Sequence, residues 1–236
     1  MTGTNTRTLK AFDQELEQLR ARIAEMGGLA EAALAQAIRA LVRRDPELAA
    51  TVVEGDHLID AIQEEAELDA VRLIALYAPV AEDLREVVAS LKIAGVIERI
   101  GDYASNIARR VPEVGRVGSH DPLHLDETGA LAAMARIAAE MVHDALDSFV
   151  ARDDAKAIEV YWRDDAVDFC YESIFRTLLA FMAENRSGIS PATNLLHMAR
   201  SLERIADHAT NIAGMVHFAA TGRRVEERRP PMETGR

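Results

Sequence analysis

The 236-residue chain is poor in the residues that cross-link small folds or build sheets. It contains one cysteine, Cys170, which excludes an internal disulfide framework and indicates a reducing compartment. Only 5% of its residues are aromatic. Alanine, leucine, isoleucine, glutamate and arginine are abundant, and this balance favours helices over sheets.

Long apolar runs and an excess of basic charge are also missing. No uncharged apolar run approaches the ~18 residues that a bilayer span requires. The polar residues 1–10 lack the apolar core of a signal peptide, so we expect a soluble, cytoplasmic protein. The formal net charge of −12 argues against non-specific nucleic-acid binding, which needs a basic surface, and is compatible with cation binding.

Helical periodicity predicts six long helices in two halves. They are expected over residues 9–42, 46–76, 79–111, 126–150, 153–186 and 191–222. Asp45, Asp153 and Ser190 are the predicted N-caps, followed by Pro46 and Pro191 in the first turns of two helices. The predicted fold class is therefore all-α, with two tandem, similar three-helix bundles.

The predicted domain organisation follows from the breaks between these helices. Residues 1–111 form the first repeat, and residues 112–126, which contain prolines and glycines, form the linker. Residues 127–222 form the second repeat. Residues 223–236 are expected to be a basic, disordered tail that could touch anionic lipid but is more simply a solvated terminus.

An internal duplication is the strongest pattern in the chain. Eight of eleven residues recur between Glu-Arg-Ile-Gly-Asp-Tyr-Ala-Ser-Asn-Ile-Ala, which begins at Glu98, and Glu-Arg-Ile-Ala-Asp-His-Ala-Thr-Asn-Ile-Ala, which begins at Glu203. The offset is 105 residues here and 108 residues upstream, where Asp56 aligns with Asp164 and Asp60 with Asp168. A fold alone would preserve only the apolar positions, so the matching acids need another explanation.

Helical geometry separates the repeated acids from the expected core. The core stripes are Ile93, Ile97, Ile100, Ala104 and Ile107 in the third helix, and Leu202, Ile205, Ala209 and Ile212 in the sixth. Glu98, Asp102 and Asn106 form a stripe roughly 170° away on the same helical wheel. The sixth helix repeats this arrangement, so these side chains are expected to face away from the core of their own bundle.

The acids are candidate metal ligands because each repeated pair introduces electrostatic repulsion that lowers helix stability. Like charges four residues apart on a helix repel by a few tenths of a kcal/mol, so a repeated pattern suggests a compensating cation. Clustered carboxylate oxygens suit hard or borderline divalent ions. The candidate ligands are Asp56, Asp60, Glu98 and Asp102 in the first half and Asp164, Asp168, Glu203 and Asp207 in the second.

Three other interpretations of the acidic residues remain open. One is a solvated helix face, in which Arg99 and Arg204 pair with neighbouring acids. Another is a metal-free adaptor whose acidic faces contact basic partners. The third is a carboxylate-bridged di-iron enzyme, for which Glu54-x-x-His57 and Glu140-x-x-His143 are candidate motifs. These two motifs occupy non-equivalent positions of the repeat, which argues against the enzyme.

The residues of the duplication resemble the PhoU family, bacterial regulators of phosphate signalling. The resemblance covers about residues 9–220. It is carried by both Glu-Arg-Ile-x-Asp phrases, the upstream Asp-x-x-x-Asp pairs, the Asp83-Leu84-Arg85 turn and the opening Phe12-Asp13-x-Glu15-Leu16.

This resemblance implies a fold and a function. Family members contain two similar three-helix bundles side by side, and some carry iron or zinc clusters on the acidic motifs. Iron or zinc is therefore the expected cofactor, with magnesium or manganese as alternatives. The family represses the phosphate-starvation response, as a link between a phosphate ABC transporter ATPase and a sensor histidine kinase. The expectation is a non-enzymatic homodimer that reaches the membrane only through partners and serves this or another phosphate transporter.

Overall fold

The computed structural model describes residues 2–115 and 123–225, and these residues are almost entirely helical. They form seven α-helices and no strands: α1 Thr2–Arg43, α2 Pro46–Tyr77, α3 Ala81–Gly115, α4 Leu123–Ala151, α5 Asp154–Tyr161, α6 Asp164–Glu184 and α7 Ile189–Thr221. A 3₁₀ turn, Arg186–Gly188, precedes α7. None of the described helices is long and apolar enough to cross a membrane.

Several predicted helix boundaries are confirmed by capping geometry. The side chain of Asp45 accepts hydrogen bonds from the backbone N–H groups of Glu47 and Leu48, with Pro46 in the first turn of α2. Asp153 caps α5 through the N–H of Lys156. Gly222 ends α7 with a φ of 72°, a left-handed conformation that glycine adopts without steric cost.

Other predicted boundaries are wrong. Ser190 does not cap the last helix, because α7 begins at Ile189, directly after the 3₁₀ turn. The N-cap position is occupied by Gly188, so no side chain caps this helix. Helix α1 begins at Thr2 rather than at residue 9. The predicted fifth helix is interrupted at Trp162 and Arg163, giving α5 and α6.

Helices enter the predicted 112–126 linker from both sides. Helix α3 continues through Pro112 to Gly115, because Val111 and Val114 are each only 2% exposed and hold its last turn against the core. Helix α4 starts at Leu123. Residues 116–122 of the predicted linker and residues 226–236 of the predicted tail lie outside the described residues.

The two halves are three-helix bundles that share one core. Helices α1, α2 and α3 pack together, as do α4, the α5–α6 pair and α7; the halves meet mainly along α3 and α7, with α1 also touching α4. The predicted core stripes are confirmed, since all nine of their members are 0% exposed. Apolar burial at this seam makes the two repeats one packed unit.

Polar contacts between the halves include a ring stack and an ion-pair network. Tyr103 of α3 and His208 of α7 stack with ring centroids 5.6 Å apart. Elsewhere, the buried carboxylate of Glu86 on α3 accepts from Arg20 of α1 and, at 3.0 Å, from Arg152 at the end of α4. Burial raises the pKa of Glu86 and the charge of Arg20 opposes that rise.

Candidate functional site

The first acidic cluster consists of Asp56 and Asp60 on α2 with Glu98 and Asp102 on α3. Each of the four side chains lies close enough to others of the set for their charges to interact. The two helices approach closely here, because a Cβ atom at Gly101 would lie 2.7 Å from Cδ1 of Ile59. The structure therefore brings together all four acids that the sequence selected in the first half.

The second acidic cluster consists of Asp164 and Asp168 on α6 with Glu203 and Asp207 on α7. Asp164 interacts with the other three carboxylates, and Asp168 also faces Asp207. Ala206 stands at the position equivalent to Gly101 and is fully buried, so a small residue is retained at this helix contact. The duplication thus builds the same arrangement twice.

The neighbouring helix partly buries the first cluster. The side chains of Asp56 and Glu98 are only 16% and 24% exposed, whereas Asp60 and Asp102 are more accessible. Desolvation raises the pKa of Asp56 and of Glu98, and the charge of Asp102 raises both further. The helical-wheel prediction correctly placed these acids on a different face of α3 from the core isoleucines. Because α2 packs against that face, the acids border the core instead of facing open solvent.

Repulsion between carboxylates and burial without partners are more pronounced in the second cluster than in the first. Burial, followed by the charges of Asp168, Asp207 and Glu203, raises the pKa of Asp164 to about 6. One oxygen of Asp164 and one oxygen of Glu203 are buried without a hydrogen-bond partner. Buried polar atoms normally have hydrogen-bond partners, so these two carboxylate oxygens have an unused capacity to coordinate a cation.

Arginines partly neutralise each cluster. The predicted pairing of Arg99 and Arg204 with neighbouring acids is confirmed: Arg99 contacts Glu98 and Asp102 at 3.4 Å. Arg204 contacts Asp207 at 3.1 Å. These exposed pairs screen the clusters without closing them.

Two further arginines were not foreseen from the sequence. Arg109 lies 3.7 Å from Asp56, and Arg200 lies 2.5 Å from Glu203. In the repeat alignment, Gly214 replaces Arg109 in the second half and Gly95 replaces Arg200 in the first. This arginine-to-glycine difference between the repeats is the sequence signal that could have identified the two arginines. Because Gly214 stands where Arg109 stands in the first half, Asp164 lacks the positive charge that lies beside Asp56.

The clusters supply suitable donors for a cation without forming a closed cage. Carboxylate oxygens are the ligands that hard and borderline cations prefer. Within residues 2–115 and 123–225, however, no three or more His, Cys, Asp or Glu side chains converge into a group able to hold a metal ion. The carboxylate oxygens are suitable ligands for a metal ion, but the acidic side chains would have to move closer together to coordinate one.

The histidine motifs of the di-iron alternative lie at the surface. His57 is exposed and its Nδ1 contacts the backbone oxygen of Glu54. His143 is also exposed, and its Nδ1 lies 3.0 Å from Glu31 of α1. Neither motif projects into the bundle interior, where a carboxylate-bridged di-iron site requires its ligands.

Asp164→Asn should stabilise the metal-free protein at neutral pH. An Asp whose folded pKa is about 6 instead of 3.8 binds more protons folded than unfolded, so stability falls as pH rises between those values and the penalty is complete above pH ~6. Because the site is partly solvated, we expect a gain of about 1–2 kcal/mol at pH 7.5 and a flatter pH profile.

Urea unfolding in EDTA between pH 4.5 and pH 7.5 measures this effect. Asp13→Asn is the matched control, because Asp13 is exposed and lies outside both clusters. A wild-type profile that rises with pH over this range, or an Asp164→Asn variant less stable than wild type at pH 7.5, would contradict the prediction.

Two three-helix repeats with matching acidic clusters define a class of tandem, all-α proteins. The model of the PhoU domain matches residues 23–111 and 131–216, one match in each half. The chain belongs to the PhoU family, which confirms the resemblance noted in the sequence.

Relatives span nearly the whole chain. A protein of Zymomonas mobilis, named phosphate-specific transport system accessory protein PhoU homolog, is 49% identical over 94% of this chain and 91% of its own. A protein of the same name from Caulobacter vibrioides is 42% identical over 96% of both chains.

Solved structures share the fold. The crystal structure of PhoU from Pseudomonas aeruginosa superposes with a TM-score of 0.84 at 35% identity, covering 90% of this chain and all of that one. The phosphate transport system regulatory protein PhoU from Streptococcus pneumoniae gives 0.83 at 29% identity, covering 91% and 99%. The predicted fold class of two similar three-helix bundles is confirmed.

Proposed function

We propose that this protein is a negative regulator of phosphate uptake and of the phosphate-starvation response. It acts in the cytoplasm as an adaptor that binds the ATPase of a phosphate ABC transporter and a sensor histidine kinase. The mechanism is stoichiometric binding and involves no catalytic turnover. The supporting observation is the pair of acidic clusters, built twice by a duplicated sequence on the fold of the phosphate transport accessory proteins.

In this proposal each acidic cluster binds iron or zinc, with magnesium or manganese as weaker candidates. Asp56, Asp60, Glu98 and Asp102 hold the first metal site. Asp164, Asp168, Glu203 and Asp207 hold the second. A bound cation supplies positive charge that neutralises mutually repelling carboxylates. Neutralisation fixes α2 against α3 and α6 against α7, and presents a less acidic surface to a partner.

A deletion strain grown in abundant phosphate tests the regulatory role. Loss of the protein should raise alkaline phosphatase expression and phosphate uptake, and the wild-type gene should restore repression. Unchanged phosphatase and uptake would refute the role. Altered uptake with normal phosphatase expression would also refute the kinase link, and would assign the protein to another phosphate transporter.

A variant that neutralises both clusters tests the metal sites and their role. Glu98→Gln, Asp102→Asn, Glu203→Gln and Asp207→Asn together should abolish co-purifying metal and the rise in melting temperature on addition of zinc or ferrous iron. The matched control removes four exposed acids outside the clusters, Glu54, Glu67, Glu140 and Glu159, by change to Gln. Equal metal content in both variants would refute the sites, and full repression by the metal-free variant would favour the metal-free adaptor.

A further inference from the structure

A cleft at the seam between the two halves has a basic and apolar lining. It lies between α3, α5 and the C-terminal end of α7 and has a volume of about 450 Å³, which is typical of small-molecule sites. None of the described residues that line it is an acid, although the chain has a formal net charge of −12. We call it the seam cleft, and its polar lining residues are Lys92, Tyr161, Thr210, Asn211 and Arg224.

The polar side chains of the seam cleft are available to a ligand. Lys92, Asn211 and Arg224 are exposed. Within residues 2–115 and 123–225, none of these three side chains takes part in a hydrogen bond or an ion pair. Two cations without a carboxylate partner favour an anionic ligand, because phosphate oxygens accept charge-assisted hydrogen bonds from both lysine and arginine.

The turn after α7 brings Arg224 to the seam cleft. Gly222 ends α7 in a left-handed conformation, with a φ of 72°. The N–H of Arg223 then donates to the hydroxyl of Thr221 at 3.1 Å. These features fix the path of the chain as it leaves α7, so that Arg224 of the second half and Lys92 of the first half line the same cleft.

The apolar part of the seam cleft offers room for a planar ring. Val88, Met215 and Phe218 contribute to it, next to the ring of Tyr161. Gly214 lies beside that ring, since a Cβ atom at this position would be 3.7 Å from Cε2 of Tyr161. Because glycine has no side chain, the cleft stays open here, and its aromatic and thioether walls suit a flat π system.

The duplication does not account for the seam cleft. In the repeat alignment, Arg109 and Glu113 stand in the places of Gly214 and Phe218. Arg109 lies 3.7 Å from Asp56 and therefore belongs to the first acidic cluster. The glycine and the phenylalanine of the cleft are thus particular to the second repeat, and the shared fold does not require them.

We propose that the seam cleft binds a nucleotide, whose base packs against Tyr161 and Phe218 and whose phosphate groups lie on Lys92 and Arg224. A phosphate ion alone would leave most of the volume and the apolar lining unused. A nucleotide uses both parts of the cleft, because it joins a flat aromatic ring to a polyanion. Burial of the base supplies affinity through the hydrophobic effect, and the two cations hold the end that carries the phosphates.

The acidic character of the chain does not prevent this binding. Exposed charges more than ~8 Å apart are largely screened at physiological ionic strength, so the side chains within the cleft decide the local potential. The last acid of α7 is Asp207, one turn before Asn211, and it pairs with Arg204 at 3.1 Å. This proposal does not rest on the proposed role in phosphate regulation.

Calorimetric titration of the full-length protein with ATP tests the proposal. The buffer contains EDTA, so that no metal ion can bridge ATP to the acidic clusters. Wild type should bind one ATP per chain with a dissociation constant on the order of 10–100 µM. Adenosine and pyrophosphate should each bind at least about tenfold more weakly than ATP, because each supplies only one of the two kinds of contact.

Three substitutions locate the site. Lys92→Ala and Arg224→Ala should each weaken ATP binding by about tenfold. Gly214→Leu should abolish binding because its side chain fills the cleft, and leucine is compatible with the helix. Lys10→Ala and Arg43→Ala are the matched controls, since they remove exposed cations outside the cleft and should leave ATP affinity unchanged. Circular dichroism should show that all five variants fold.

The outcomes separate a nucleotide site from its alternatives. Absence of ATP binding to wild type at ~1 mM would overturn the proposal. Pyrophosphate that binds as tightly as ATP would also overturn it, because the site would then recognise an anion without a base. Wild-type affinity in the folded Lys92→Ala, Arg224→Ala and Gly214→Leu variants, or an equal loss in the two controls, would refute the assignment of ATP to this cleft.

Discussion

Glu86→Ala is expected to lower the free energy of unfolding by about 3 kcal/mol, because it removes the buried carboxylate partner of Arg20 and leaves this arginine with only the exposed Glu17, 3.4 Å away, as an ion-pair partner among the described residues. The Arg20 side chain is 11% exposed and Glu86 is 9% exposed as a residue. Arg152 is more than half exposed, so water can replace its contact with Glu86. The large loss therefore comes from Arg20. Urea unfolding followed by circular dichroism measures it.

The same network should tolerate removal of both buried charges. Burial raises the pKa of Glu86 despite the attraction of Arg20, so desolvation outweighs the gain from the ion pair. The double variant Arg20→Met/Glu86→Leu should consequently lie within about 1 kcal/mol of wild type. Glu82→Ala, an exposed acid one turn away, is the surface control. A Glu86→Ala variant as stable as the Glu82→Ala control would contradict the account.

Ile100→Ala and Ile205→Ala should each lower the free energy of unfolding by about 2–4 kcal/mol, because each leaves a cavity in a fully packed core. The two isoleucines occupy equivalent positions of the repeated phrase and are both 0% exposed. Helices α3 and α7 pack against each other. Damage to either repeat should therefore shift the same single unfolding transition.

Two probes distinguish shared from separate unfolding. Trp162 is the one tryptophan of the chain and reports on the second half, while circular dichroism reports on all helices. The two curves should coincide in wild type and in both variants. Val80→Ala, at a residue 73% exposed, should change stability by less than about 0.5 kcal/mol. If Ile100→Ala separated the circular dichroism transition from the fluorescence transition, the halves would unfold independently.

The sequence predicts the helices and core faces well because their signals are local. Periodicity identified every member of the two core stripes, and an aspartate before a helical run identified the caps of α2 and α5. The break between α5 and α6 contains no glycine or proline from which it could be predicted. It coincides with a tertiary contact, in which Arg163 reaches Asp144 of α4 at 2.5 Å.

The acidic clusters were predictable in membership but not in environment. The spacing of four residues on antiparallel helices, its repetition in both halves and the family resemblance together selected the eight acids. Burial depends on the neighbouring helix, which a single helical wheel does not include. The contrast between Asp56, which Arg109 accompanies, and Asp164, which has Gly214 at the equivalent place, arises from one residue on a distant part of the chain.

The stack of Tyr103 on His208 bears on the ancestry of the chain. These residues occupy the same position of the duplicated phrase, 105 residues apart, and their rings touch across the seam. A residue that contacts its own equivalent lies on a twofold axis, the symmetry of a homodimer. An unfused repeat would have presented one residue type to itself at this point. In the tandem chain the two positions belong to one polypeptide and differ, so the contact across the axis joins a tyrosine to a histidine.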